Sequence, residues 1–279
     1  TAIPGATAAA LTLRNVQASD AASYDVMVSN AAGIVVSSPA TLVLLTSRLT
    51  NASVRSPAGT GDQTLIVGFV LNGSGSKQML VRGIGPTLTQ FGVESPLADP
   101  QLRLFTGGGA LINQNDDWGG GATLAGAFVQ TGAFALAPSS KDAALLVSLP
   151  AGSYAAHITS TAGTGVALVE LYDADASSPT ARSVNVSTRT QVGTGDNVMI
   201  VGFVIAGNAP ENLLIRGIGP GLIEFNVGGV LADPQLRLFD AAGVQIQENN
   251  DWGGTAALTS AFTRAGAFVL PADSKDAAL

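Results

Sequence analysis

The sequence predicts an all-β protein built from tandem antiparallel β-sandwich modules, and three observations carry this prediction. Short apolar or alternating runs, such as LIVGFV at 65–70 and PQLRLF at 100–105, stand between Gly, Pro, Asn and Asp residues that favour turns. Residues 48–145 align without a gap with residues 182–279. Only residues 121–134 have a helical composition, and their glycines favour a short helix.

The repeat defines the expected units of the chain. The matching segments are GTGD at 59 and 193, RGIGP at 82 and 216, LADPQLRLF at 97 and 231, and SKDAAL at 140 and 274. The first copy continues through residues 146–175, for which the second copy has no counterpart before Leu279. We therefore expect a first jelly-roll-like sandwich at 46–178, a second, truncated one at 179–279, and a separate unit at 1–45.

The N-terminal unit contains a D-x-A-x-Y stretch, from Asp20 to Tyr24, within alternating strands at 11–44. This stretch resembles the second half of an immunoglobulin-like domain of the intermediate set. The resemblance implies a tyrosine corner, in which the Tyr24 hydroxyl bonds nearby backbone. Val26 stands where that family usually has a cysteine, so an inter-sheet disulfide is excluded.

The repeated unit resembles modules that follow immunoglobulin-like domains in very large secreted bacterial surface proteins. Its PQLRLF, GALINQNDDW and GSYAAHIT segments are also similar to the pre-peptidase C-terminal domain, a β-sandwich found beside secreted proteases. Both resemblances imply an extracellular spacer or binding module rather than a catalytic one.

The composition excludes several partners and sites. The net charge is −7, and the 13 Lys and Arg residues are scattered, which argues against a nucleic-acid surface. The chain has no Cys and therefore neither disulfides nor thiolate metal sites. Its longest apolar runs are too short to span a bilayer.

Catalytic residues are not indicated, so we expect a protein that is not an enzyme. His157 is the only histidine, and the alternation of its strand puts it on the opposite face from Tyr154 and Ile158, facing solvent. No G-x-S-x-G nucleophile motif is present. The RGIGP segments favour turns, with Arg82 and Arg216 pairing with Asp99 and Asp233 in a structural role.

The repeated Asn-Asp-Trp-Gly-Gly clusters allow three interpretations. A calcium ion needs six to eight oxygen ligands. The candidate ligands are acidic or amide side chains, namely Asn115, Asp116, Asp117 and Asp99 in the first repeat and Asn249, Asn250, Asp251 and Asp233 in the second. The favoured interpretation is an Asx turn, with Asp117 and Asp251 bonded to local backbone and Trp118 and Trp252 buried as lids. The third is a tryptophan platform that stacks on a sugar.

Two functions from different classes follow. The leading one is a structural segment of an extracellular bacterial surface or filament protein, which associates with itself or with other surface proteins. The alternative is a carbohydrate- or calcium-binding accessory module of a secreted enzyme or adhesin. Residues 1–45 of one chain have the strand layout that the second repeat lacks, so one hypothesis is donor-strand complementation, which would build head-to-tail filaments. The favoured alternative is that both ends are cuts in a longer chain whose flanking residues complete them.

Overall fold

The computed structural model describes residues 2–14, 16–44, 47–175 and 181–279, apart from the side chains of residues 18 and 196. Within these residues the protein is mostly β-strand, with two ten-residue helices, α1 (Ala122–Thr131) and α2 (Ala256–Ala265). The unit boundaries that the sequence predicts at 45/46 and 178/179 lie outside the described residues. In this part of the chain, no helix combines the length and the apolar character needed to cross a membrane.

Sixteen strands occur in the described ranges, and every pairing between them is antiparallel. Those before the repeats are β1 (Ser23–Tyr24), β2 (Met27–Asn30), β3 (Gly33–Val36) and β4 (Ala40–Thr41). The first repeat contains β5 (Ser47–Ala58), β6 (Leu65–Ile84), β7 (Gln101–Thr106), β8 (Leu111–Asn115), β9 (Ala143–Thr159) and β10 (Gly165–Asp173). The second contains β11 (Arg182–Arg189), β12 (Ile200–Gly207), β13 (Arg216–Gly217), β14 (Leu236–Phe239), β15 (Gln245–Asn249) and β16 (Ala277–Ala278).

One eight-stranded sheet dominates the structure. Its strand order is β12-β5-β10-β6-β9-β7-β8, and β11 also pairs with β6. The first half of β6 pairs with β11, its second half pairs with β10, and both halves pair with β9. The register shifts between Leu71 and Ser76, where Gly73 and Gly75 have φ angles of 116° and 81° that glycine tolerates best. Strand β6 therefore exchanges one neighbouring strand, β11, for another, β10, across this glycine-rich bulge.

Apolar residues are buried on both faces of this sheet. Met79 and Val81 point into the main core, together with Phe69 and Leu104. The intervening Leu80 packs on the opposite face against α1 and Trp118. Burial on both faces explains why the β6 sequence lacks the polar alternation of a half-exposed strand.

The second repeat reproduces the elements of the first at the same sequence offset. Helix α2 begins 134 residues after α1 (256 minus 122), and β15 begins 134 residues after β8 (245 minus 111). The 3-10 helix at Pro86–Phe91 recurs at Pro220–Phe225. The long strand β6 differs, because its counterpart is divided into β12 and β13.

The two repeats exchange their first strands. Strand β5 pairs with β12 of the second repeat, and β11 pairs with β6 of the first. The registers are equivalent: Arg55 pairs with Ile200, and Arg189 pairs with Ile66, each residue lying 134 positions from its counterpart. Ser56 Oγ also lies 2.8 Å from Thr190 Oγ1, the residue at the same place in the other repeat. A local two-fold relation between the repeats explains why a residue meets its own counterpart.

The N-terminal strands form two small sheets of their own, β1 with β4 and β2 with β3. The Tyr24 hydroxyl donates to the Asp20 carbonyl oxygen at 2.7 Å, the bond that a tyrosine corner makes. The apolar side chains of Met27, Val28 and Val35 are exposed. This segment therefore has local order and an uncovered apolar surface.

Candidate functional site

The Asn-Asp-Asp-Trp cluster lies between the end of β8 and the start of α1. Its backbone is held by Asn115, whose side-chain amide donates to the Asp117 carbonyl oxygen at 2.8 Å and accepts from the Ala144 amide at 2.9 Å. Asn249 makes both bonds in the second repeat, to Asp251 and Ala278. The side chain that bonds the local backbone is therefore the asparagine, and our expectation that Asp117 and Asp251 do so is wrong.

The aspartate carboxylates of this cluster contact lysines instead. Lys141 Nζ lies 3.3 Å from an Asp99 oxygen and 3.6 Å from an Asp117 oxygen. Lys275 Nζ lies 3.1 Å from an Asp251 oxygen. Bonding to Asp99, with the nearby Asp117 charge, raises the pKa of Lys141, and Asp251 does the same for Lys275. These carboxylates thus form ion pairs with lysines whose side chains are largely exposed.

The other candidate ligands do not complete a metal site. Asp116, Asn250 and Asp233 are exposed, and Asp99 is half-buried beside Lys141. Among the described residues, no three His, Asp or Glu side chains are grouped closely enough to hold a metal ion. A calcium ion bound to Asp99 and Asp117 would have to displace the Lys141 ammonium group, because this group already contacts the carboxylate oxygens that the ion needs.

Both tryptophan rings are covered. Trp118 is 6% exposed and Trp252 is 3% exposed. The Trp118 ring packs 5.2 Å from the Phe128 ring of α1, and its indole N–H donates to the Ala137 carbonyl oxygen at 2.8 Å. Trp252 repeats the arrangement with Phe262 and Pro271. Sugar stacking needs an exposed ring face, so this burial favours the structural interpretation.

Calcium should not stabilise the protein, because lysines neutralise the carboxylates that would bind it. We expect millimolar calcium to move the melting temperature by less than about 1 °C, since only a ligand that binds the folded state stabilises it. Tryptophan emission during heating is a suitable reporter because both rings are buried. Magnesium at equal ionic strength is the control for screening. A calcium-specific rise of several degrees would instead support the accessory-module function.

Asp142 stabilises the RGIGP turn, a role that the sequence did not indicate for this recurring aspartate. Its buried carboxylate accepts the Gly85 amide at 2.7 Å and the hydroxyls of Thr87 and Ser140. Gly85 is required because a Cβ there would lie 2.0 Å from the Leu97 carbonyl oxygen. Asp276 repeats this unit in the second copy. The sequence signal for this contact is that the SKD and RGIGP segments recur together in both repeats.

Arg82 is fully buried and pairs with Glu170, not with Asp99 as we expected. Its guanidinium donates twice to one Glu170 oxygen, at 2.8 and 2.5 Å, and to the Phe134 carbonyl oxygen at 2.6 Å. The Tyr172 hydroxyl donates to the other Glu170 oxygen at 2.8 Å. Burial, followed by the nearby Glu170 charge, raises the pKa of Tyr172 above its usual range. The aromatic rings of Phe128 and Phe134 cover the guanidinium.

Lys77 forms a second buried ion pair with the same strand. Its ammonium lies 2.9 Å from an oxygen of Asp173 and 2.9 Å from an oxygen of Asp175. Strand β10, which pairs with both β5 and β6, therefore inserts between them with carboxylates that meet two basic residues of β6. These charges help to select the register of β10.

His157 lies on the face that the alternation predicts, opposite the buried Tyr154 and Ile158. Its ring is partly covered by the Phe105 ring, with centroids 4.6 Å apart. Burial, with the charges of Arg189 and Arg103, lowers the pKa of His157. A catalytic histidine base is usually oriented by a carboxylate, whereas this ring has cationic neighbours.

The fold and these clusters define an all-β protein with a large antiparallel sheet, in which conspicuous polar residues hold turns and strands together. No protein-family model, curated protein or solved structure matches the chain.

Proposed function

We propose that this chain is a structural, non-catalytic segment of an extracellular bacterial surface or filament protein. The observation that carries the proposal is the exchange of first strands between the repeats in equivalent registers. Such an exchange joins repeats through backbone hydrogen bonds and needs no ligand. The resemblance of the N-terminal unit to immunoglobulin-like domains, and of the repeats to modules of secreted bacterial surface proteins, supports the extracellular location.

Each repeat is, in this proposal, a β-sandwich. The support comes from the main core, where Phe69 from the first half of β6 meets Val81 from its second half, Val169 from β10 and Leu104 from β7. These strands are not all neighbours in the sheet order. Their side chains meet in one core if the sheet folds over at the β6 bulge into two layers.

In this proposal, the chains also associate head to tail by strand complementation. Residues 2–44 carry exposed apolar strands, which can act as donors. In the second repeat, Val201 is 45% exposed and Leu231 is 41% exposed, whereas their counterparts Val67 and Leu97 are 1% and 0% exposed. Uncovered apolar strands of this kind pair readily with another chain. Because donor and acceptor are different surfaces, the contact continues from chain to chain.

Sedimentation velocity over a concentration series tests this association, with electron microscopy of the largest species. We expect the full chain to form concentration-dependent oligomers, because the apolar strands gain burial on pairing. Deletion of residues 1–45 and Val201→Lys should each leave monomers. Val269→Lys is the matched control, because Val269 is exposed in the same repeat but lies after α2. A full chain that stays monomeric at every concentration would contradict the association.

A further inference from the structure

Lys77 is a buried lysine whose ammonium group contacts two carboxylates. Its side chain is 1% exposed, and its Nζ lies 2.9 Å from an oxygen of Asp173 and 2.9 Å from an oxygen of Asp175. The side chains of these two aspartates are only 3% and 17% exposed. In a site that water hardly reaches, moving a proton from an ammonium group to a carboxylate costs less than in water, because both partners become neutral. A neutral amine is a nucleophile.

The backbone of the first repeat holds both acids beside this lysine. Lys77 lies on β6 and Asp173 on β10, which are hydrogen-bonded neighbours in the sheet. The Asp175 amide donates to Asp173 Oδ1 at 3.2 Å, and the Gln78 amide donates to Asp175 Oδ1 at 3.2 Å. Groups that the fold keeps in contact react as if they were present at very high concentration. The cluster therefore places an amine, an acid and a second carboxyl group in position for a condensation.

We propose that Lys77 and Asp173 condense to an intramolecular isopeptide bond, an amide between their side chains, with Asp175 carrying the protons. Asp173 is the acid that reacts because it is the more deeply buried of the two. Its Oδ2 also lies 3.3 Å from Arg48 Nε, and this cation stabilises the negative charge that develops on that oxygen during the attack.

The step balances without an oxidant or a cofactor. Asp175 accepts one proton from Lys77 Nζ and passes it to Asp173 Oδ1. The nitrogen lone pair then forms the C–N bond to Asp173 Cγ, and the carbonyl electron pair moves onto Oδ2. Asp175 next takes a second proton from the nitrogen and delivers it to the Oδ1 hydroxyl, whose C–O bond breaks. Of the three ammonium protons, one stays on the amide and two leave in a water molecule, and Asp175 ends as it began.

The bond would join β6 covalently to β10, the strand that lies between β5 and β6. Strand β10 could then no longer leave the sheet while β6 remains in place. This property goes beyond the proposed structural function. It also does not depend on association between chains, because both residues belong to the first repeat.

An exposed cluster of the same composition provides an internal comparison. Lys141 Nζ lies 3.3 Å from an Asp99 oxygen and 3.6 Å from an Asp117 oxygen, but the Lys141 side chain is 56% exposed. Water solvates this ammonium group, so its proton gains nothing by moving to a carboxylate. We therefore expect Lys141 to keep its ion pairs and to form no amide.

Mass spectrometry of the intact chain tests the proposal, because the condensation removes one water molecule. We expect most molecules of the folded protein to be lighter than the sequence requires by the mass of one water. Trypsin cleaves after free lysine and arginine but not after an acylated lysine. The digest should therefore contain residues 56–82, uncut after Lys77, joined to residues 142–182.

Four variants separate the roles of the side chains. Lys77→Arg keeps the positive charge, but a guanidinium is not deprotonated in proteins, so the full mass is expected. Asp175→Asn removes the proton carrier and should also give the full mass. Asp173→Asn should lose ammonia in place of water, because the leaving group is then the amide nitrogen. Lys141→Arg is the matched control and should still lose one water. Emission from the buried Trp118 verifies folding in each case.

A wild-type chain with the full mass overturns the proposal. Loss of water from the Lys77→Arg variant, or a joined peptide that contains Lys141 instead of Lys77, overturns it as well. Loss of ammonia from the Asp175→Asn variant would place the bond on Asp175 and contradict the roles given to the two acids. If the chain associates into oligomers but has the full mass, the isopeptide bond is refuted and the proposed function stands.

Discussion

Glu170→Ala should destabilise the first repeat by about 3–5 kcal/mol, because it leaves the buried Arg82 charge without its partner. Arg82 is fully buried, so water cannot replace the two hydrogen bonds that it donates to Glu170. The Tyr172 hydroxyl loses its acceptor at the same time. The loss of β10 anchoring should therefore appear as a lower urea midpoint.

Trp118 emission in a Trp252→Phe background measures this effect in the first repeat. Trp118 packs on Phe128, whose ring also contacts the Arg82 guanidinium. Glu248→Ala is the control, because Glu248 is exposed and its oxygen lies 3.9 Å from Arg237 Nε. An exposed pair of this kind contributes about 0–1 kcal/mol. If the two variants unfold at the same urea concentration, Glu170 does not balance a buried charge.

Local patterns of the sequence predict the strands and their faces well. The alternation around His157 separates it from the buried Tyr154 and Ile158, and the 134-residue repeat predicts the recurrence of α1 as α2. Both predictions depend on neighbouring residues or on residues at a fixed offset. Both kinds of pattern can be read from the sequence without knowledge of which strands are neighbours in the sheet.

Ion-pair partners were predicted poorly because they depend on sheet topology. We paired Arg82 with Asp99, which is close in sequence, whereas β10 brings Glu170 from 88 residues away. Asp99 instead binds Lys141. Nothing local specifies which strand lies next to β6.

The candidate site illustrates the same limit at short range. The sequence predicts a turn that contains Asn115, Asp117 and Trp118, but the side chain that bonds the local backbone is that of Asn115 and not that of Asp117. The Asn115 amide can both donate and accept, which the turn needs, whereas a carboxylate can only accept. The nearby Lys141 then attracts the free carboxylate.

The exchange of first strands is the central structural claim, and a designed disulfide tests it. Ser56→Cys and Thr190→Cys replace two hydroxyls that lie 2.8 Å apart across the local two-fold relation. The chain has no other cysteine, so a disulfide within one chain must join these two positions. We expect it to form readily in air, because the side chains already meet. A cross-link that closes a loop of this length should stabilise the protein by about 4–5 kcal/mol.

Peptide mapping by mass spectrometry, with the urea midpoint of oxidised and reduced protein, is the most direct measurement. The reduced form of the same variant is the control, because it differs only in the disulfide. The account predicts a cross-link within one chain that links β5 to the end of β11 and raises the midpoint. Free thiols after oxidation, or a cross-link found only between chains, would contradict the exchange of strands between the two repeats.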